Sequence, residues 1–255
     1  MYPVNTIKEK LKKGETVFGV FGMMPSPQVQ EIMGYSGLDF TIIDFEHGTH
    51  DLISAENMMR SQNLTGAGSV VRVPEEAHYL ISKVLDMGVN AVQIPQVSTK
   101  EAALKAVSTA KFPPQGSRGA AHVARAARYA SMDRMVYFGG ANENTVIIIQ
   151  IEGIEGCNNA DEIMTVPGID VIFIGPHDLA HSLGIPGQID SPILEAKMEE
   201  LVNKAKSHGK WVGTYVETTE KAKKWAKLGV QYIAFSSDVE ILYLRMKQIV
   251  SELKG

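Results

Sequence analysis

Eight short runs of consecutive apolar, largely β-branched residues recur along the chain, and they restrict its fold more than any other feature. They cover 17–23, 40–44, 69–73, 91–94, 146–151, 171–174, 211–215 and 232–235. Several, such as IIIQI at 147–151 and VIFI at 171–174, are apolar at successive rather than alternate positions. That is the pattern of parallel strands covered on both faces. Stretches with helical spacing or helix-forming composition separate them, at 27–37, 78–87, 99–110, 157–165, 192–208 and 217–228. Eight repeats in 255 residues give about 32 residues each, the size of a (β/α)8 repeat. The chain therefore reads as one α/β domain, a (β/α)8 TIM barrel over 1–255 with a final helix at 239–253. A doubly wound open sheet is the alternative, but no GxGxxG follows the first strand to support its dinucleotide-binding form.

The charge balance, 25 Lys plus Arg against 29 Asp plus Glu for a net charge of -4, argues against a nucleic-acid or anionic-membrane partner. No apolar run approaches the ~18 residues of a membrane span, and MYPVNTIKEKLKKG lacks the apolar block of a signal peptide. A cytoplasmic protein with a small-molecule or protein partner is expected. Cys157 is the single cysteine, so an internal disulfide and a thiolate-cluster metal site are both excluded. The least regular segment, 111–131, carries two prolines, then two glycines, then Arg118, Arg125 and Arg128. A loop of that length in a compact domain is usually functional or an interface.

In a parallel barrel the reactive groups sit at the C-terminal ends of the strands, so polar residues that close an apolar run carry the information. The second run ends TIIDFEHG, with Asp44, Glu46 and His47; the third ends at Arg72; the fifth ends IIIQIEG, with Gln150 and Glu152; the sixth continues GPHDLA, with His177 and Asp178. Glu152 and Asp178 close successive strands and would face one mouth, where two anions repel unless a cation lies between them. Two carboxylates without thiolates or a histidine cluster select a hard ion, Mg2+ or Mn2+, completed by water or substrate oxygens. Ordinary helix N-terminal placement is the competing explanation for both acids.

Arg72 would be held on a rigid strand and suits an anionic substrate, its alternative being an ion pair with Glu46. His47 is the best-placed base, with Asp44 three residues earlier to orient its ring; His50 reads as a solvated residue. No candidate strand contains a lysine for Schiff-base chemistry, and there is neither a GxSxG elbow nor a GxxxxGK[ST] loop. Metal-assisted chemistry remains.

At these residues the chain resembles the HpcH/HpaI family of class II pyruvate aldolases. The matching segments are GLDFTIIDFEHG, SVVRV, VLDMGVNAVQIPQV, KFPPQGSRGA with VARAARY, IIIQIEG, GIDVIFIGPHDLAHSLG and GVQYIAFSSDVEIL, spread over nearly the whole chain. The resemblance implies a barrel that assembles as a homohexamer, with a divalent metal (Mg2+, Mn2+ or Co2+) held by Glu152 and Asp178 and chelated by pyruvate. Gln150 and the stretch Gly175, Pro176, His177 and Asp178 would contact pyruvate, Arg72 would also bind it and stabilise the enolate oxygen, and His47 would transfer protons. Asp44 matches a residue beside that histidine, and Asp86 one that reaches a neighbouring subunit's site. The chain departs from the family at His177, where a small residue is usual, at His122 in a shortened arginine loop, and at Gly153.

The implied reaction is the reversible retro-aldol cleavage of a 4-hydroxy-2-oxo acid to pyruvate and an aldehyde. Succinic semialdehyde, tartronate semialdehyde, lactaldehyde and glycolaldehyde all suit the shared pyruvate half. Tyr215, His122 and the arginine loop are candidates for the aldehyde end. Two alternatives stand beside this reading: a CoA-ester lyase of the citrate lyase β-subunit type, using the arginine loop for CoA phosphates, and a non-catalytic 2-oxo acid binder. An intersubunit contact is the favoured role of the arginine loop, because no phosphate-cradling helix start accompanies it.

Overall fold

A computed structural model describes residues 1–75 and 77–255. Eight strands, β1 Val17–Gly22, β2 Phe40–Asp44, β3 Gly68–Arg72, β4 Ala91–Ile94, β5 Val146–Ile151, β6 Val171–Ile174, β7 Trp211–Val216 and β8 Tyr232–Ser237, pair in parallel. The pairing of β1 with β8 closes the ring. The helices are α1 Thr6–Lys12, α2 Pro27–Tyr35, α3 Leu52–Thr65, α4 His78–Met87, α5 Lys100–Ala110, α6 Arg134–Asn144, α7 Ile154–Asn158, α8 Ala160–Met164, α9 Pro176–Ser182, α10 Pro192–Ser207, α11 Thr219–Lys227 and α12 Asp238–Lys254. The expected (β/α)8 barrel is the observed one, and the open sheet is not.

Consecutive apolar residues are explained by two separate cores. Val70, Ile42, Ile148, Val171 and Phe173 fill the barrel interior, which Ile7 and Leu11 of α1 plug from below. Their neighbours Val71, Ile43, Ile147, Ile149 and Ile172 face outward into the layer beneath the helices. Strand side chains alternate with period two, so the position after each interior apolar residue's outward neighbour points inward again. Asp44 follows Ile42 in this way, Arg72 follows Val70, Gln93 follows Ala91 and Gln150 follows Ile148. The top inward layer of the barrel is thus polar by register. Gly19 is required by packing, since a Cβ there would collide with the ring of Phe40, itself stacked on Tyr232 at 4.2 Å.

Four helices run where none was expected: α1, α3, α6 and α9. In α3 the buried face is mixed: Ala55, Met58 and Met59 are buried together with the polar Ser61 and Gln62, while Ile53 and Leu64 are exposed. Ser61 hydrogen-bonds the carbonyl of Pro27, and Gln62 that of Gly68, so polar side chains share the docking with Ala55, Met58 and Met59. The helix expected over 157–165 is two short ones, α7 and α8. The final helix is longer than expected and lies outside the core: of α12 only Asp238 is buried, while Leu242, Leu244, Met246 and Leu253 are exposed.

Candidate active site

The C-terminal ends of the strands surround a cavity of about 310 Å³, and Asp44, His47, Arg72, Gln150, Glu152 and His177 line it. Gly175, Pro176 and Asp178 complete its polar side, and Phe21, Met23, Phe173 and Tyr215 form an apolar wall. Of the mouth residues expected from strand ends, all but Glu46 line this cavity.

Arg72 is the most constrained of them. Its Nε donates to Asp44 Oδ1 at 2.8 Å and its Nη2 to Asp44 Oδ2 at 2.6 Å. Nη1 lies 2.9 Å from Glu46 Oε2, and the guanidinium rests 4.6 Å from the Phe21 ring centre. A guanidinium has five N–H groups; this pairing leaves one on each Nη free to meet a ligand. Asp44, fully buried, spends its carboxylate on Arg72 and on the Glu46 amide, 3.0 Å away. It makes no hydrogen bond to His47, so the expected orienting role toward that ring is corrected: Asp44 orients Arg72. His47 is exposed at the rim, its Nε2 4.0 Å from Glu46 Oε2. His50 is not solvated as expected, because its Nε2 contacts the Gly22 carbonyl at 2.9 Å.

Glu152 is 3% exposed. Its Oε1 accepts from the Gln96 amide at 2.8 Å and its Oε2 from Gln150 Nε2 at 2.7 Å. Gln150 Oε1 accepts in turn from Gln93. Burial, and secondarily the charges of Asp178 and Glu46, raise the Glu152 carboxyl to about 7 despite those hydrogen bonds. Burial likewise pushes Glu46 up, against the pull of Arg72. Gly175 passes directly over this carboxylate; a Cβ there would collide with Glu152 Oε2. Asp178 does stand in the first turn of α9, as the helix-terminus explanation requires, but Glu152 does not fit it, since its oxygens are bound by Gln96 and Gln150 rather than by amides of α7.

Gln93, Gln96 and Phe21 are site-shaping residues that sequence reasoning missed. Gln93 carried a signal, being the lone polar residue in AVQI. Gln96 adopts a left-handed backbone, φ 55°, a conformation uncommon outside glycine and often found at functional sites.

Several expectations for the arginine loop are corrected. Arg118 is buried against Asp86, 2.5 Å away, and over the Phe112 ring; Arg125 donates to the Met87 carbonyl at 2.8 Å. Asp86 and Met87 end α4, and Arg125, Arg128 and Tyr129 border a groove with Gly66, Gly88 and Thr145, which precede strands. The loop and Asp86 therefore lie at the end of the barrel opposite the mouth of this chain. Arg118 and Arg125 are engaged within the chain, which removes the CoA-phosphate role at this mouth, and the Arg118 ion pair is intramolecular. His122 contacts the Met132 carbonyl there and does not line the mouth, whereas Tyr215 does. Lys111, whose ammonium burial lowers to about 8, also lies at that far end, donating to the carbonyls of Asn142 and Thr145. No strand supplies a lysine to the mouth.

The family model of HpcH/HpaI aldolase/citrate lyase matches residues 18–243. The chain belongs to this family. It is 32% identical over 255 residues to a hydroxypyruvate/pyruvate aldolase of Roseobacter denitrificans, covering 99% of this chain and 98% of that one. It is 30% identical over 250 residues to a 5-keto-4-deoxy-D-glucarate aldolase of Escherichia coli O6:H1, covering 98% and 97%. Among solved structures, an HpcH/HpaI aldolase/citrate lyase family protein from Burkholderia cenocepacia superposes with a TM-score of 0.93 at 30% identity, over 99% of this chain and 100% of that one. In this HpcH/HpaI chain the EH, QIE and GPHDL segments meet around a single cavity.

Proposed function

We propose that this HpcH/HpaI chain catalyses the reversible retro-aldol cleavage of a 4-hydroxy-2-oxo acid into pyruvate and an aldehyde. The chain is a carbon–carbon lyase, in keeping with the aldolase names of its relatives. The observation that carries the reading is a buried, hydrogen-bonded Glu152 near Asp178, lining the same cavity as Arg72. The residues fit a hard divalent cation. Each Glu152 oxygen accepts only one protein hydrogen bond and keeps a lone pair, and Asp178 makes no ion pair among the described residues. Burial is the main cause of that carboxyl's rise to about 7, and a neighbouring cation would offset it. No group of three or more His, Cys, Asp or Glu that could hold an ion occurs among the described residues, so two carboxylates would hold it, with substrate and water oxygens completing the shell. Mg2+, Mn2+ and Co2+ all accept such ligands.

That cation would supply positive charge against the carboxylate and C2 oxygen of pyruvate. Every other element of the mechanism belongs to the chain. Gln150 and the backbone of Gly175, Pro176 and His177 border the place where pyruvate would lie. The two free N–H groups of Arg72 would donate to the C2 oxygen as the C3–C4 bond breaks and its electron pair delocalises onto that oxygen, preorganised stabilisation of the kind that dominates many active sites. His47 would accept the proton of the C4 hydroxyl as that carbon becomes an aldehyde, and would return it in the synthetic direction.

The apolar, exposed stretch of α12 supports the homo-oligomer, a hexamer by family resemblance, because a monomer rarely leaves so many large apolar side chains in water. No helix among the described residues is long and apolar enough to cross a membrane. The decisive experiment follows pyruvate release from a 4-hydroxy-2-oxo acid before and after chelation with EDTA. Release that stops on chelation and returns with Mg2+ or Mn2+ is the expected result; pyruvate binding without any release would make the chain a binder instead.

A further inference from the structure

The mouth is divided. Its polar half, from β2, β3 and β5, is accounted for by the pyruvate reading, while the other half is walled by Phe21, Met23, Phe173 and Tyr215 and contains one imidazole, that of His177. His177 follows β6 and His47 follows β2, four strands apart in a ring of eight, so the two imidazoles stand on opposite sides of the cavity. The His177 ring packs edge-on against Tyr215, centroids 5.3 Å apart at 62°. Its Nε2 lies 3.2 Å from Glu217 Oε1. Tyr215 is itself held by Glu240, its hydroxyl 3.3 Å from Oε2. The imidazole is thus fixed on two sides, and Nδ1 is its one polar atom without a protein partner among the described residues.

Resting on the aldolase reading, we propose that His177 selects the aldehyde, accepting at Nδ1 a hydrogen bond from a hydroxyl carried next to the carbonyl, so that the preferred partner of pyruvate is a short, uncharged hydroxyaldehyde. In the tautomer whose Nε2–H faces Glu217, Nδ1 offers a lone pair to a ligand. A hydroxyl can donate to that lone pair; a carboxylate cannot. Charge points the same way. Glu217 and Glu240 already flank this wall, and the nearest lysines are committed, Lys221 to Asp190 at 2.6 Å and Lys224 to Glu195. An acid semialdehyde would bring a further anion to a wall where Glu217 and Glu240 already stand and the two lysines are paired, while an alkyl aldehyde would leave Nδ1 unpaired when water is displaced.

The test compares kcat/KM for glycolaldehyde, propanal and succinic semialdehyde with pyruvate as donor, alongside exchange of the pyruvate methyl protons with deuterium in the absence of aldehyde. The intact chain should favour glycolaldehyde over both others by at least about tenfold, the scale of one well-placed hydrogen bond. His177→Ala should erase the advantage over propanal, chiefly through the KM for glycolaldehyde, and His177→Asn, which keeps an acceptor near Nδ1, should restore part of it. An intact chain that prefers succinic semialdehyde, or a glycolaldehyde-to-propanal ratio unchanged in His177→Ala, overturns the proposal while leaving the aldolase reading in place. An intact chain that exchanges no methyl protons with any of the three metals sinks the aldolase reading and this inference with it.

Discussion

Arg72 and Asp44 are Cα partners across β2 and β3 and are joined by two hydrogen bonds of 2.8 and 2.6 Å. The strand register that builds the barrel therefore also sets the position of the guanidinium. Bidentate pairing fixes the plane of an arginine as well as its place.

Arg72→Lys should accordingly behave almost like Arg72→Ala. An ammonium cannot span both Asp44 oxygens, reach Glu46 and still present two donors to the substrate. We expect kcat to fall by at least about 100-fold in both variants, the range for loss of one oxyanion donor, with a smaller change in pyruvate KM. Steady-state kinetics with lysine retaining near-normal kcat would remove Arg72 from its assigned role.

Gly175→Ala tests the cradle around Glu152. The added methyl meets Glu152 Oε2, so the carboxylate must swing away from Gln150. Metal-dependent turnover should drop by more than about tenfold while circular dichroism and melting temperature change little, because a small shift of a catalytic group suffices for such a loss. Normal activity in this variant would show that Glu152 need not lie beneath Gly175.

Glu152, with its carboxyl raised to about 7, links pH to both metal affinity and stability. Below that value a cation must displace a proton, so apparent affinity should fall as pH drops below about 7, and isothermal titration in two buffers should show proton release. For the metal-free protein the sign is also fixed. The unfolded chain ionises this acid at its ordinary value of 4.5, before the folded chain does, so the contribution of Glu152 to stability falls as pH rises from about 4.5 to about 7. Glu152→Gln should then melt higher than the parent at pH 8 without metal, and should no longer respond to added Mg2+ or Mn2+. A melting temperature equal to the parent's across this window would contradict the shifted titration.

Asp86→Ala is expected to act through stability. It would strand Arg118, whose side chain is 2% exposed, as a buried cation over Phe112. Because Asp86 itself is partly exposed, about 2 kcal/mol is a reasonable loss, below the range for fully buried pairs. Chemical denaturation measures this directly. A variant of undiminished stability but altered kcat would instead place Asp86 in a neighbouring subunit's site.

All eight strands are legible in the sequence because burial on both faces leaves uninterrupted apolar runs, as at 147–151. Helices are less so: α3 docks through a face that mixes Ala55, Met58 and Met59 with Ser61 and Gln62, and α9 is hidden inside the site segment GPHDLAHS. The mouth residues Asp44, Arg72, Gln150, Glu152 and Asp178 could be found because they close strands. Their pairing could not, since Asp44 meets Arg72 through the lateral register of two strands 28 residues apart, a relation no local pattern records. For the same reason the far-end position of the arginine loop emerges only when α4 and α5 are packed side by side.

Asp238 ties the ring shut at its seam. Its carboxylate accepts from the amides of Met23 and Met24 at 2.9 and 3.1 Å, clasping the segment after the first strand to the start of the last helix. The β1–β8 junction is also where the ladder slips, between Gly19 and Phe21. Breathing of the barrel should begin at this clasp, on the aromatic flank, and amide exchange at Met23 and Met24 would time it. Glu152, anchored across the ring at the end of β5, would stay rigid while the seam moves.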